Sequence, residues 1–121
     1  MDNQTAFNKM VRHLRKQNAK ALAGDDQAVC RYRAESGLMC AVGCLIPKKL
    51  YMPALEGRPA REILTSQHEV FKDLQQFFTG VDHELLKRMQ TVHDVYEVND
   101  WEHLFRDIAL SFKLDLPAQE T

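Results

Sequence analysis

Apolar side chains recur at helical spacing from the start of the chain. Phe7, Met10, Val11, Leu14, Ala21 and Leu22 fall on one stripe, and Lys9, Arg12, Lys16 and Lys20 lie opposite. A basic amphipathic helix is expected there, stopped by Gly24-Asp25-Asp26. Asn18 projects into the middle of the apolar stripe, as either a buried hydrogen-bonding group or an opening in the core. From Val29 the pattern alternates, Cys30 and Tyr32 against Arg31 and Arg33, in the manner of a short half-buried strand before the turn Ala34-Glu35-Ser36-Gly37.

The run Leu38 to Ile46 is apolar or small throughout and stops at Pro47. Periodicity alone leaves helix and strand open for it. The small residues Cys40, Ala41, Gly43 and Cys44 favour a helix whose surface admits another backbone. Residues 47 to 59 hold three prolines and Gly57 and read as an irregular excursion. Three stripes follow. Ser66 and Glu69 form a capping box ahead of Val70, Phe71, Leu74, Phe77 and Phe78, ending at Thr79-Gly80. Asp82 caps a helix with Leu85, Leu86, Met89, Val92 and Tyr96 inward. Asn99 or Asp100 caps another carrying Trp101, Leu104, Phe105, Ile108, Ala109 and Phe112. The expected fold is mainly α, a compact bundle of four to five helices with room for a small two-stranded hairpin near residues 29–40. Residues 1–121 form one domain, with a frayed tail from about residue 116.

Composition refines this picture. The chain has 121 residues, of which 45% are hydrophobic and 27% charged. That length buries roughly two-thirds of its unfolded surface, enough for a core without metal or disulfide staples. The longest apolar run is nine residues, against the roughly twenty a membrane span needs. Three cysteines and a polar start without a signal-peptide pattern point to reduced thiols in a cytoplasm. The net charge of -1 speaks against nucleic-acid binding by bulk charge. It conceals a division: residues 1–63 carry eleven basic and six acidic side chains, and residues 64–121 carry five and eleven.

Chemistry has several candidate seats. Cys30, Cys40 and Cys44 with His68, His83, His93 and His103 are zinc-type ligands, but no close cysteine pair or paired-histidine motif organises them. Cys40 as a nucleophile with His93 as its base is a second option, set against two residues that simply pack in the core. His93 lies on the apolar side of its helix and reads as a core imidazole bonded to a carbonyl or a side chain. The neighbouring Asp94 makes a pair known from metal-dependent phosphohydrolases, yet helical neighbours point about 100° apart and are not expected to converge. Walker, dinucleotide, nucleophile-elbow and HExxH patterns are absent from the sequence, and no cofactor is called for. The remaining feature is the basic face of Lys9, Arg12, Lys16 and Lys20, with Lys48, Lys49 and Tyr51 beyond the central run, suited to phosphates or to an acidic protein surface. A solvated helix face is the plainer reading of the same charges.

The block Cys30-Arg31-Tyr32-Arg33, Gly37-Leu38-Met39-Cys40-Ala41-Val42-Gly43-Cys44-Leu45-Ile46-Pro47, Tyr51 and Glu56-Gly57 resembles small proteins of tailed bacteriophages and prophages. Leu86, Met89-Gln90, His93-Asp94, Trp101, Phe105 and Ile108-Ala109 extend the resemblance over most of the chain. That family carries no assigned activity. The resemblance implies a host cytoplasm and an accessory protein that binds and modulates a host protein. A nucleic-acid-binding regulator using the same basic helix is the second class of function, and a zinc protein or cysteine-dependent enzyme the third.

Overall fold

A computed structural model describes residues 1–21, 31–34 and 36–119. Helix α1 spans Asn3–Gln17, opened by Asp2, whose Oδ1 accepts the Thr5 N–H at 2.8 Å. It ends earlier than the stripe suggested. Asn18 takes the left-handed conformation at φ 50°, and its N–H donates to the Leu14 carbonyl. Asn18 is therefore an exposed C-cap rather than a buried group or a core opening. Leu22, Gly24-Asp25-Asp26 and the Val29–Cys30 end of the expected strand lie outside the described residues.

Among the described residues the expected hairpin is reduced to a single antiparallel bridge between Arg33 and Met39. The reason is where the donors go. The N–H groups of Tyr32 and Arg33 donate to the Glu56 carboxylate at 2.9 and 3.1 Å instead of to a partner strand. The run Leu38 to Ile46 is likewise a turn followed by one turn of 3-10 helix, Gly43–Leu45, and not the helix favoured from its small residues. Its amides are claimed by side chains: Met39 donates to Gln17, Val42 to Gln90 and Gly43 to the Cys40 sulfur. The small-residue surface does admit a backbone, because Gly43 is pressed against the main chain of Tyr32 with no room for a Cβ.

The excursion after Pro47 is built of two further 3-10 turns, Lys48–Leu50 and Pro53–Leu55. It runs into a short helix that periodicity did not single out, α2 at Ala60–Thr65, which buries Ala60, Ile63 and Leu64. The first of the three stripes is a 3-10 turn, Glu69–Phe71, leading into α3 at Lys72–Phe77. Ser66 Oγ accepts the His68 N–H there. Helix α4, His83–Val95, is capped by Asp82 as expected, with Oδ1 accepting the Glu84 N–H at 2.8 Å. Tyr96, expected inward, is instead the exposed residue that ends α4. Helix α5, Trp101–Phe112, follows a 3-10 turn over Val98–Asp100 and has no side-chain cap. That turn already occupies the backbone positions before α5, so neither Asn99 nor Asp100 is needed as a cap.

Helices α1 to α5 make the compact, mainly helical bundle that the sequence implied. Helix α4 packs against α1, α2 and α5, and α1 also packs on the Gly43–Leu45 turn. Phe7, Met10 and Leu14, Leu45 and Leu55, Phe78, Leu85 and Met89, and Phe105 meet in one core. No helix is long and apolar enough to cross a membrane among the described residues. The chain beyond α5 lies along α1: Gln4 exchanges hydrogen bonds with the backbone of Asp115, and Pro117 is buried where fraying was expected to begin.

Gly43→Ala forces a methyl group into the Tyr32 main chain and should lower stability by about 1–3 kcal/mol. Ser36→Ala on the exposed turn should stay within about 0.5 kcal/mol. Urea midpoints of the two variants at constant m-value check this, and equal midpoints would remove the close approach as a constraint.

Candidate functional site

The central segment is held by polar side chains reaching in from three directions. From α1, His13 Nε2 and Gln17 Nε2 both donate to the Met39 carbonyl, at 3.0 and 2.8 Å. From α4, Gln90 Oε1 accepts the Val42 N–H at 3.0 Å. From the loop before α2, Glu56 accepts from Tyr32, Arg33 and the Tyr51 hydroxyl, the last at 2.7 Å. The Arg33 guanidinium donates to the Ile46 carbonyl at 2.7 Å and stacks 4.9 Å from the Tyr51 ring centroid. Tyr51, grouped from the sequence with Lys48 and Lys49 as part of a partner-binding surface, is thus half-buried with ring and hydroxyl both committed. Burial, followed by its bond to Glu56, pushes its phenol up.

The cysteines sit in the same segment. Cys40 is fully buried and its sulfur accepts from Gly43 N–H. Cys44 is half-buried and its S–H donates to the Ala41 carbonyl at 3.0 Å. Loss of solvation raises both thiols, Cys44 up to about 12, so the nucleophilic thiolate is scarce at neutral pH. Cys30 lies outside the described residues. Among the described residues no three His, Cys, Asp or Glu side chains gather as a metal ion would require.

His93 is a core imidazole with no exposed surface. Its Nε2 accepts the Ala21 N–H at 2.9 Å, so the proton sits on Nδ1 and is donated to Asp94 Oδ1 at 2.7 Å. Of the two partners expected, the side chain is present as Asp94, while the backbone partner is an amide and not a carbonyl. Asp94 does converge on it, against the 100° rule, because its short carboxylate folds back over the helix and is also held by Gln90 Nε2 at 3.0 Å. With both nitrogens engaged, neither is left to take a proton from Cys40. The imidazole also faces Trp101 at 6.0 Å between ring centroids.

The basic face forms the other site. Lys9, Arg12 and Lys16 are exposed on α1, and among the described residues none has a carboxylate within ion-pair distance. Together with Thr5, Asn8 and His13 they line a shallow depression. Lys9 also lies close enough to Cys44 to favour its thiolate slightly, which places the Gly43–Leu45 turn beside this face. Lys20 is half-buried beyond the C-cap, and Lys48 and Lys49 are exposed on the following 3-10 turn.

Arg15 differs from its neighbours. Its Nε and Nη2 grip the two oxygens of Glu102 at 2.8 Å each, joining the basic and acidic halves of the sequence across α1 and α5. Beside this pair a cleft of about 590 Å³ opens, lined by Arg12 and Lys16 on one wall and underlaid by Val98, Trp101 and Phe105. Nothing in the sequence spacing pairs residues 15 and 102, and only the tertiary fold brings this cleft together.

Comparison of the chain with protein-family models, with curated proteins and with solved structures gives no match.

In a Cys30→Ser variant, Cys40 and Cys44 should resist a thiol-specific reagent at neutral pH and react only on unfolding. Rapid labelling of the folded protein would contradict their raised thiols. The Arg15 hydrogen bond holds the Glu102 carboxyl below its ordinary value, so the folded form binds that proton less readily than the unfolded form. Its contribution to stability is full above the ordinary glutamate range and is lost as pH falls through the lowered folded value. Glu102→Gln should flatten that part of the stability-pH curve, and a curve unchanged by the substitution would show the pair to be inert.

Proposed function

We propose that this protein is a small non-enzymatic binding protein that docks on an acidic surface of another protein through the exposed face of α1. The carrying observation is that Lys9, Arg12 and Lys16 stand exposed on one helix face without carboxylate partners among the described residues, while Arg15 beside them is paired. Such uncommitted charge on a rigid helix steers an oppositely charged partner and fixes its register. Lys48 and Lys49 extend the basic surface on a neighbouring exposed turn. The sequestered thiols and the fully engaged His93 favour binding over cysteine chemistry. The resemblance of the central block to phage and prophage proteins supports a bacterial host protein in the cytoplasm as the partner.

Reversing the face with Lys9→Glu, Arg12→Glu and Lys16→Glu together should slow partner association by about tenfold or more, against no change for Lys72→Glu on α3. Association rates on the captured partner, measured over a salt series, check this. Capture unaffected by the triple reversal would overturn the reading. Tight binding of DNA or RNA that weakens steeply with salt would move the face to a nucleic-acid ligand.

A further inference from the structure

The cleft between α1 and α5 already receives a length of extended chain. Ala118 and Gln119 enter it, and Arg15 Nη1 donates to the carbonyls of Pro117 and Ala118 at 2.7 and 3.3 Å. Further toward the start of α1, Gln4 Nε2 donates to the Asp115 carbonyl and Gln4 Oε1 accepts its N–H, both at 2.9 Å. Helix α1 therefore holds the chain's own segment 115–118 alongside it and leaves the rest of the cleft beside that segment open.

The charges in the cleft are unbalanced. Among the described residues, Arg12, Arg15 and Lys16 line it against the single carboxylate of Glu102, and Glu102 is consumed by Arg15. Arg12 and Lys16 remain for an incoming anion. The cleft volume of about 590 Å³ exceeds what one small ion fills and lies in the range of sites that seat several side chains. Stacking of bases is not offered: Trp101 is 3% exposed and Phe105 is fully covered, so neither ring presents a face to a nucleotide.

We propose that this cleft seats an extended acidic segment of the partner protein, lying beside Pro117–Gln119 with its carboxylates on Arg12 and Lys16. The proposal rests on the docking function above and specifies what the partner presents. Trp101 is the only tryptophan of the chain and lies beneath the cleft, so its emission senses the change of field and packing when the cleft is filled.

The probe is a synthetic peptide rich in Asp and Glu with interspersed Leu, titrated into the full-length protein, with the Lys-for-Glu peptide and a single-stranded oligonucleotide in parallel. The acidic peptide should give a saturable change in Trp101 emission. Its dissociation constant should rise at least tenfold in Arg12→Glu/Lys16→Glu and stay unchanged in Lys72→Glu, with circular dichroism confirming that each variant is folded. Peptide binding that leaves Trp101 silent, or that survives Arg12→Glu/Lys16→Glu, overturns the cleft. So does a tighter response to the oligonucleotide. If the acidic peptide fails to bind while partner capture still depends on Lys9, Arg12 and Lys16, the cleft proposal alone falls. If capture is also indifferent to those residues, the docking function falls with it.

Discussion

Burying an irregular backbone is the constraint on which the rest of this structure depends. Tyr32 and the stretch from Cys40 to Ile46 lie in or against the core with little regular secondary structure, yet their amides and carbonyls cannot be left without partners there. Side chains take the place of a helix or sheet ladder: Gln17 and His13 from α1, Gln90 from α4, and Glu56 from the loop ahead of α2. Because these donors and acceptors come from three different elements, the central segment and the helices fix one another. The glycine at position 43 and the carboxylate at position 56 then become parts of one arrangement, since Gly43 touches the same Tyr32 backbone whose N–H is held by Glu56.

His93 applies the same solution at the end of α1. A buried imidazole accepting a backbone N–H is restricted to one tautomer, and Asp94 completes it by taking the Nδ1 proton. Gln90 binds both Asp94 and Val42, so the histidine pair and the central segment share a residue. Polar groups that resemble catalytic parts when read as a list are thus occupied in holding backbone. The thiols follow the same logic, with Cys40 accepting from Gly43 and Cys44 donating to Ala41 inside an environment that disfavours their ionised forms.

The surface carries the opposite character. Where the interior leaves few donors unclaimed, α1 leaves Lys9, Arg12 and Lys16 open to solvent and ties only Arg15 to the acidic half. An overall charge of -1 is compatible with this because the acidic side chains lie mainly late in the chain, and among the described residues Arg15–Glu102 is the one ion pair that ties α1 to them. Local imbalance, rather than net charge, is what a binding partner would meet.

The pattern of apolar positions by itself determined the helical class, the helices that became α4 and α5, and the buried faces of α1, because a stripe at helical spacing must find a core whatever it packs against. It also placed Asp82 as a cap and His93 in the interior, both local consequences of residue type and position. It did not determine the form of residues 38–46, where every side chain is apolar or small and no periodicity distinguishes one conformation from another. There the outcome rested on hydrogen-bond partners drawn from His13, Gln17 and Gln90, all distant in sequence. The same holds for Tyr51, drawn inward by Glu56 and Arg33, and for the pairing of Arg15 with Glu102 that frames the cleft. Burial is written into the order of side chains along the chain, whereas the satisfaction of a buried polar group depends on which elements meet, and only the tertiary structure decides that.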